Sequence, residues 1–430
     1  MPTIRELAEQ AWNKSHGFTA EFNPVEVRRD RSEELDPRIL MFYGLANVYA
    51  VDTGDGLVML DAGHHIDSAN LHSHVREWRP DTPLHAAVYS HHHVDHVFGV
   101  SPFDAEAGES GRPAPVVYAH DAVPGHFDRY RTTVGYNTAI NRRQFAVDVP
   151  GFRWPDRFRY PDVTFADRCT FHRGGLTFEM HHARGETDDA VWTHIPELRA
   201  VHTGDLFIWA SPNAGNPQKV QRYAGEWARA LREIASLGAE LLLPGHGFPV
   251  YGAERVRRAC GETADLLESL ESQTLALMEQ GLPLDAVIHG VQVPEHLADR
   301  PYLRPIYDHP QFVVRNVWRR FGGWYEGEPD QLLPAPLDEQ AREWIALAGG
   351  VQAVVDRALA VHDGGDSRLA CHLIEKAVRA EPENAGVHEA RARIYAERAA
   401  AESSLMVRNI LGHAAGASRE GKRDLASFAD

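Results

Sequence analysis

The sequence predicts a layered α/β domain followed by an all-helical part. Three observations lead there. Short apolar runs bounded by turn residues alternate with helical patterns over the first half of the chain. From Glu254 the apolar residues recur at three- and four-residue steps instead. The chain has 430 residues, more than one ordinary core accommodates.

Asn47-Val48-Tyr49-Ala50-Val51 meets Gly54-Asp55-Gly56, and Leu57-Val58-Met59-Leu60 follows. An Asp-Gly turn between two apolar runs predicts a hairpin. Further strands are expected over 86–89, 115–118, 176–180 and 241–243, with a helix over 220–237 between the last two. Val256, Cys260, Ala264, Leu267, Leu270, Thr274 and Leu277 mark one face of a long amphipathic helix, stopped by Gly281 and Pro283. Residues 354–401 read as paired helices with turns at Gly364-Gly365-Asp366 and Glu381-Pro382-Glu383-Asn384. The second turn and its flanks resemble one tetratricopeptide unit, whereas a solenoid needs several. The polar stretch from Gly416 reads as a frayed tail.

The net charge of −17 argues against a nucleic-acid partner, which selects for a basic face. No apolar run approaches the roughly 18 residues of a membrane span. The polar start, MPTIRELAEQAWNKSHGF, lacks the apolar stretch of a signal peptide. Cys169, Cys260 and Cys371 form no CxxC pair and suit a reducing compartment, so a cytoplasmic protein is expected. With 25 histidines and no thiolate pair, metal ligands are expected to be imidazoles and carboxylates.

An apolar strand, Ala87-Val88-Tyr89-Ser90, delivers His91-His92-His93-Val94-Asp95-His96 into a loop. Strand ends of open α/β sheets are common ligand sites. Read as H-x-H-x-D-H, the run selects His91, His93, Asp95 and His96, with His92 and Val94 pointing elsewhere. These ligand types suit zinc, and also iron or manganese. Asp205 and His246 each follow an apolar strand beside a glycine, so their backbones can approach a site closely.

The motif resembles the signature of the metallo-β-lactamase superfamily. Asp61-Ala62-Gly63 resembles its Asp-x-Gly turn, Thr203-Gly204-Asp205 the turn carrying its bridging carboxylate, and Pro244-Gly245-His246-Gly247 its last ligand histidine. Gly185-Glu186-Thr187-Asp188-Asp189 stands where many members have a ligand histidine, and Asp188 and Asp189 are carboxylate alternatives to Glu186. The resemblance implies a four-layer αβ/βα sandwich and two zinc ions. His91, His93 and Glu186 would hold one ion, Asp95, His96 and His246 the other, and Asp205 would bridge them.

NTAINRRQF, HPQFVVRNVWRRFGGWYEGEPDQLLPAP and LAGGVQAVVDRALAVHDGGDSRLACHLIEKAVRAEPEN resemble the alkyl sulfatase branch. That resemblance implies a catalytic domain over residues 1–270, a helical dimerisation domain over 271–415 and a disordered tail over 416–430. It also implies a homodimer. Trp318, Phe321, Trp324 and Tyr325, with the long helix from Val256, are expected to offer the uncovered apolar surface.

Two departures stand out. Some members have Glu where Asp205 stands. The branch usually has Asn-Leu-Tyr-x-x-Arg-Gly soon after the bridging acid, where this chain reads Ser211-Pro212-Asn213-Ala214-Gly215-Asn216-Pro217-Gln218-Lys219. Asn213 matches the Asn, and Lys219 or Arg222 would replace the charge. The branch also usually continues into a sterol-carrier-like domain that would accept the alkyl tail, and no such segment is visible here.

The expected activity is hydrolysis of a small anionic ester, an alkyl sulfate, by a metal-bridging hydroxide that Asp95 orients. Asn213, Lys219, Arg142 and Arg143 are the candidates to hold the anionic group. The alternative is another ester, lactone, thioester or phosphoester on the same centre. An iron oxidoreductase would carry a flavodoxin-like or rhodanese-like partner domain, and none is visible. A non-catalytic scaffold would not need a complete ligand set. His120, His181 and His182 are expected to be structural.

Overall fold

The computed structural model describes residues 2–13, 30–147 and 149–426. Seven strands form the first sheet in chain order: β1 (Arg31–Asp36), β2 (Ile39–Tyr43), β3 (Asn47–Asp52), β4 (Leu57–Leu60), β5 (Leu84–Val88), β6 (Val116–His120) and β7 (Val163–Phe165). β1 to β4 are antiparallel and β4 to β7 parallel. The second sheet runs β13-β12-β11-β10-β9-β8, from β8 (Arg168–Arg173), β9 (Leu176–Ala183), β10 (Ala190–Ile195), β11 (Ala200–Ile208), β12 (Leu241–His246) and β13 (Val250–Tyr251). The expected hairpin is β3–β4, with Val51 opposite Val58.

The period-2 alternation of β2 to β5 sorts their side chains into two cores. Met41, Tyr49, Val51, Val58, Leu60 and Val88 face the second sheet, where Phe178, Met180 and Val201 meet them. Leu40, Phe42, Ala50, Met59 and Ala87 face outward. Both faces are covered, so these strands read as continuous apolar runs. α1 (Ile4–Trp12) packs its buried face beside β1. α2 (Ser68–Trp78), α3 (Ser101–Glu109) and α4 (Val123–Thr132) supply Leu71, Phe103 and Phe127 to the outer core. α5 (Val134–Phe145) follows α4. Outside the second sheet lie α6 (Ala224–Ser236) and α7 (Ala253–Glu279), which bury Trp227, Leu231, Val256 and Leu267. The result is the expected helix–sheet–sheet–helix sandwich.

The rest is helical: α8 (Leu284–Gly290), α9 (Glu295–Ala298), α10 (Pro310–Gly322), α11 (Leu337–Leu347), α12 (Val351–Asp363), α13 (Ser367–Ala380), α14 (Ala385–Ala401) and α15 (Leu405–Arg419). α12 to α14 share one core with Ile345 of α11 and Ala415 of α15. Among the described residues no single helix is long and apolar enough to cross a membrane, though the bent pair α11 and α12 passes by length and composition.

Four expectations need correcting. The helix expected from Val220 begins at Ala224. The boundary expected at 270 falls inside α7, because that helix packs on α6 and its apolar face belongs to the sandwich core. For the same reason α7 does not offer uncovered apolar surface. The tail does not start at Gly416: α15 runs to Arg419, Asp424 pairs with Arg143 and His413, and Ala426 is buried. Residues 427–430 lie outside the described residues. At the end of α10, Phe321, Trp324 and Tyr325 are exposed as expected, joined by Leu332, Leu333, Trp344 and Leu347, whereas Trp318 is half-buried because it packs on Leu284, Val287 and Ile288 of α8.

Candidate metal centre

Five chain segments converge at one edge of the sandwich. β5 ends in the histidine-rich loop, β4 ends at Asp61, and the β9–β10 loop carries Glu186. Asp205 lies within β11, and His246 closes β12. Two glycines allow the approach. A Cβ on Gly204, at φ +48°, would come within 2.5 Å of the Ser90 Cβ. One on Gly245 would come within 2.1 Å of Asp205 Oδ1. Any larger residue would push β11 and β12 off the site.

The ligand atoms fall into two triads. His91, His93 and Asp205 each place one ligand atom within 4.8 Å of the others, and so do Asp95, His96 and His246. His91 Nε2 lies 2.8 Å from His93 Nδ1 and 3.9 Å from Asp205 Oδ2. In the second triad Asp95 Oδ2 is 3.3 Å from His246 Nε2 and 3.6 Å from His96 Nε2. Asp205 stands between them: Oδ1 is 3.6 Å from His96 Nε2, and Oδ2 is 3.6 Å from His246 Nε2. Glu186 Oε1 lies 3.6 Å from His93 Nδ1, which places it at the first triad.

The surrounding hydrogen bonds set the imidazole tautomers. Asp61 is fully buried, at φ +57°. It accepts from Ser90 N at 2.6 Å, Ser90 Oγ at 2.8 Å and His96 Nδ1 at 2.7 Å. Because the Ser90 hydroxyl proton is committed to Asp61, Ser90 Oγ accepts from His91 Nδ1, 3.0 Å away. Both rings therefore carry a proton on Nδ1 and present Nε2 to the site, the atom a metal would take; in its absence Asp61, Asp205 and Asp95 overcome burial and hold His96 well above the ordinary imidazole value.

His92 points away, as expected. Its Nδ1 pairs with Asp189 at 2.9 Å, and its Nε2 meets Arg129 at 3.0 Å. Asp188 pairs with His126 at 2.7 Å. Both carboxylate alternatives to Glu186 are thus engaged outside the two triads. His181 stacks on Trp192, and His182 on His120, so none of these three joins the site.

The donor set fits divalent cations. Four imidazoles and three carboxylates point at one small volume, and His96 Nε2 and Asp205 Oδ1 are buried without a hydrogen-bond partner. Burial opposes ionisation of Asp95, but His96 and His246 outweigh it and hold its carboxyl well below the usual range. Asp205 behaves alike, at about 2. Burial pushes His93 well below the ordinary imidazole value, so it is a neutral donor. Glu186 differs: burial raises its carboxyl to about 7, against the opposing charge of Arg222. Arg222 NH1 is 2.9 Å from Glu186 Oε1, and Asn213 Nδ2 also donates to that oxygen.

His93, Asp95, Glu186, Asp205 and His246 form the floor of a cavity of about 460 Å³. Lys219, Asn213, Arg222 and Asn216 line it. Lys219 Nζ donates to Asn141 Oδ1 at 2.7 Å and lies 5.2 Å from the centre of the Trp154 ring. Burial lowers its ammonium to about 7, with Arg222 adding to the effect. Arg142 and Arg143 do not line the cavity. Arg143 instead binds Asp424 at 2.9 Å, because the C-terminal segment folds back on α5. Several lining residues escaped the sequence reading: Tyr130, Trp154, Tyr307, Leu405, Arg408 and Asn409. Asn141 lies within the quoted NTAINRRQF segment, a signal that could have found it. Leu405 to Asn409 sit on α15, whose sequence carries no such signal.

A sandwich of this layering with paired His/Asp triads at its sheet edge defines a metallo-β-lactamase-type hydrolase. The metallo-beta-lactamase superfamily model matches residues 42–246. A second model, alkyl sulfatase dimerisation, matches residues 284–421. The chain is 27% identical over 382 residues to a linear primary-alkylsulfatase of Pseudomonas sp., covering 84% of this chain and 71% of the relative. To an (R)-specific secondary-alkylsulfatase of Pseudomonas sp. it is 27% identical over 383 residues, covering 82% of this chain and 57% of the relative. The solved stereoselective inverting sec-alkylsulfatase Pisa1 from Pseudomonas sp. superposes with a TM-score of 0.83 at 24% identity, over 97% of this chain and 70% of its own. The chain thus carries a metallo-beta-lactamase superfamily domain followed by an alkyl sulfatase dimerisation domain, and it is similar over most of its length to alkylsulfatases.

Proposed function

We propose that this protein hydrolyses alkyl sulfate esters with two zinc ions held by the paired triads. The observation that carries the reading is one cavity with five of the seven ligand side chains, His93, Asp95, Glu186, Asp205 and His246, on its floor and a buried lysine, Lys219, in its wall. His91, His93 and Glu186 would hold one ion, Asp95, His96 and His246 the other, with Asp205 between. When bound, the ions supply a water activated near neutral pH and positive charge for the oxygen that develops negative charge.

The chain's own residues do the rest. Asp95 stays ionised and accepts a hydrogen bond from the attacking water, which fixes that water's orientation. Lys219 faces the sulfate oxygens, where an ammonium makes a charge-assisted hydrogen bond, while Asn213 donates to Glu186 and steadies that ligand. The apolar cavity walls keep bulk water from the ester and strengthen that pairing. Arg222 is already bound to Glu186, so its role is to balance the buried carboxylate.

The test is sulfate release from medium-chain alkyl sulfates by zinc-loaded protein, beside aryl sulfates, phosphoesters and lactones. Release from the alkyl sulfates alone is expected. Cleavage of a phosphoester or lactone without sulfate release would establish the second reading, which Lys219 in place of the branch's usual arginine favours.

The exposed apolar face of α10, α11 and their connection is proposed to close a homodimer. Mass measurement in solution at micromolar concentration should give twice 48.0 kDa. The three unpaired cysteines support a cytoplasmic setting within the same proposal.

A further inference from the structure

We propose that the helical half is part of the substrate site, with Leu405 of α15 setting the length and bulk of the apolar group that the cavity takes. This rests on the sulfate-ester reading only for the chemistry of the headgroup.

The cavity has a polar floor and two apolar walls. Phe152 and Trp154 build one wall and pack with Val94 and Tyr130 in a single cluster. Ile208 and Tyr307 build the other, backed by Ala210 and Ile306. Leu405 extends the second wall. Its place is determined by backbone contacts: Leu405 N donates to Ile306 O at 2.9 Å, and Ser404 Oγ donates to Tyr307 O at 2.7 Å. Ser404 also caps α15. The first turn of that helix is therefore pinned to the strap that lines the cavity.

The rim closes the same way. Asn409 Nδ2 donates to Gln144 O at 3.0 Å, which seats α15 on the end of α5. Phe145, 40% exposed, stands at this rim. An ester whose anionic group reaches the floor must lead its remaining atoms between the Trp154 and Leu405 walls. Those walls offer side-chain carbon, so they select an apolar group. One wall comes from the sandwich and the other in part from α15, so the helical half acts in recognition as well as in assembly.

Alkyl sulfonates of four to ten carbons, kept below their micellar concentrations, test this by titration calorimetry on the zinc-loaded full chain. They carry the charge but present no ester to cleave. Affinity should rise about fourfold per methylene, the equivalent of about 0.8 kcal/mol, while the tail is inside the cavity. Leu405→Trp should flatten those increments for the longer tails, and Leu405→Ala should carry them on to longer ones. Equal increments in the wild type and in both variants, each with native circular dichroism, would overturn the proposal. If no alkyl sulfate is cleaved yet the sulfonate increments still depend on Leu405, the tail site stands and the sulfatase reading falls. If sulfate is released and Leu405 changes nothing, the reverse holds.

Discussion

The two ligand triads share Asp205 but are built to different standards. In the second, His96 is anchored by Asp61 at 2.7 Å, and Asp61 is itself held by Ser90 from backbone and side chain. Asp95 and His246 close on each other at 3.3 Å. In the first, His91 leans on Asp61 only through Ser90, and Glu186 is shared with Arg222 and Asn213. A ligand already paired with a guanidinium must give up part of that pairing to bind a cation. The second triad is thus preorganised, and the first carries a built-in competitor. The difference predicts sequential metal binding, tightest at the second triad.

The largest effects should come from the ligands. His96→Ala is expected to lose both ions and at least a thousandfold in kcat/KM, whereas His93→Ala should keep one ion and lose comparable activity. Metal analysis of the dialysed variants decides it, and equal loss of metal from both would break the asymmetry.

Next comes the anchor. Asp61→Asn retains size but leaves His96 and Ser90 without their acceptor charge. A 10–100-fold loss in metal affinity is expected, as for other groups that orient a ligating histidine. The loss should fall on the tighter of two resolved binding steps in a competition titration.

Arg222→Gln tests the competitor. Removing one partner of a buried ion pair costs about 3–5 kcal/mol when the other is left charged. In metal-free protein Glu186, already raised to about 7, would take up a proton once Arg222 is gone, so the loss in denaturant unfolding should fall short of that figure and grow as pH climbs above about 7; zinc-loaded protein should lose less still, because a cation takes over Glu186. Equal destabilisation of both forms would mean that Glu186 is not a ligand.

Lys219 adds a pH signature. Its ammonium is complete below about 7 and is lost above it, amid the charges of Arg222, Arg129, Glu186 and Asp95. KM for the anionic ester should therefore rise as pH climbs through about 7, and Lys219→Arg should remove the rise. Lys219→Met is expected to raise KM roughly tenfold to a hundredfold at pH 6, equivalent to about 1.5–3 kcal/mol. In metal-free protein the unfolded state binds this proton more tightly, so stability should increase with pH above about 7. The smallest effect belongs to Arg143→Ala, which breaks a partly exposed ion pair with Asp424. Stability should drop by about 1 kcal/mol or less, with KM unchanged within twofold.

Much of the floor was legible because its ligands are crowded into short motifs. The spacing of His91, His93, Asp95 and His96 on one loop is local, and the Asp-Gly turn and the strand alternation are local too. Glu186 was separable from Asp188 and Asp189 only through their partners, His126 and His92, which lie 62 and 97 residues away in sequence. Arg143 was misjudged because an exposed-looking arginine pair carries no sign of a partner 281 residues on.

By itself the sequence determined the layered α/β fold, the helical second half and the residue types of the metal centre, because periodicity and turn chemistry act over a few residues. Only the tertiary structure decided which carboxylate reaches the first triad, which cation faces the cavity, and that α15 completes the cavity wall. Those outcomes depend on hydrogen bonds and packing between segments far apart in the chain. Burial gives such contacts their weight, since a buried charge without its partner costs several kcal/mol, and burial exists only once the chain has folded.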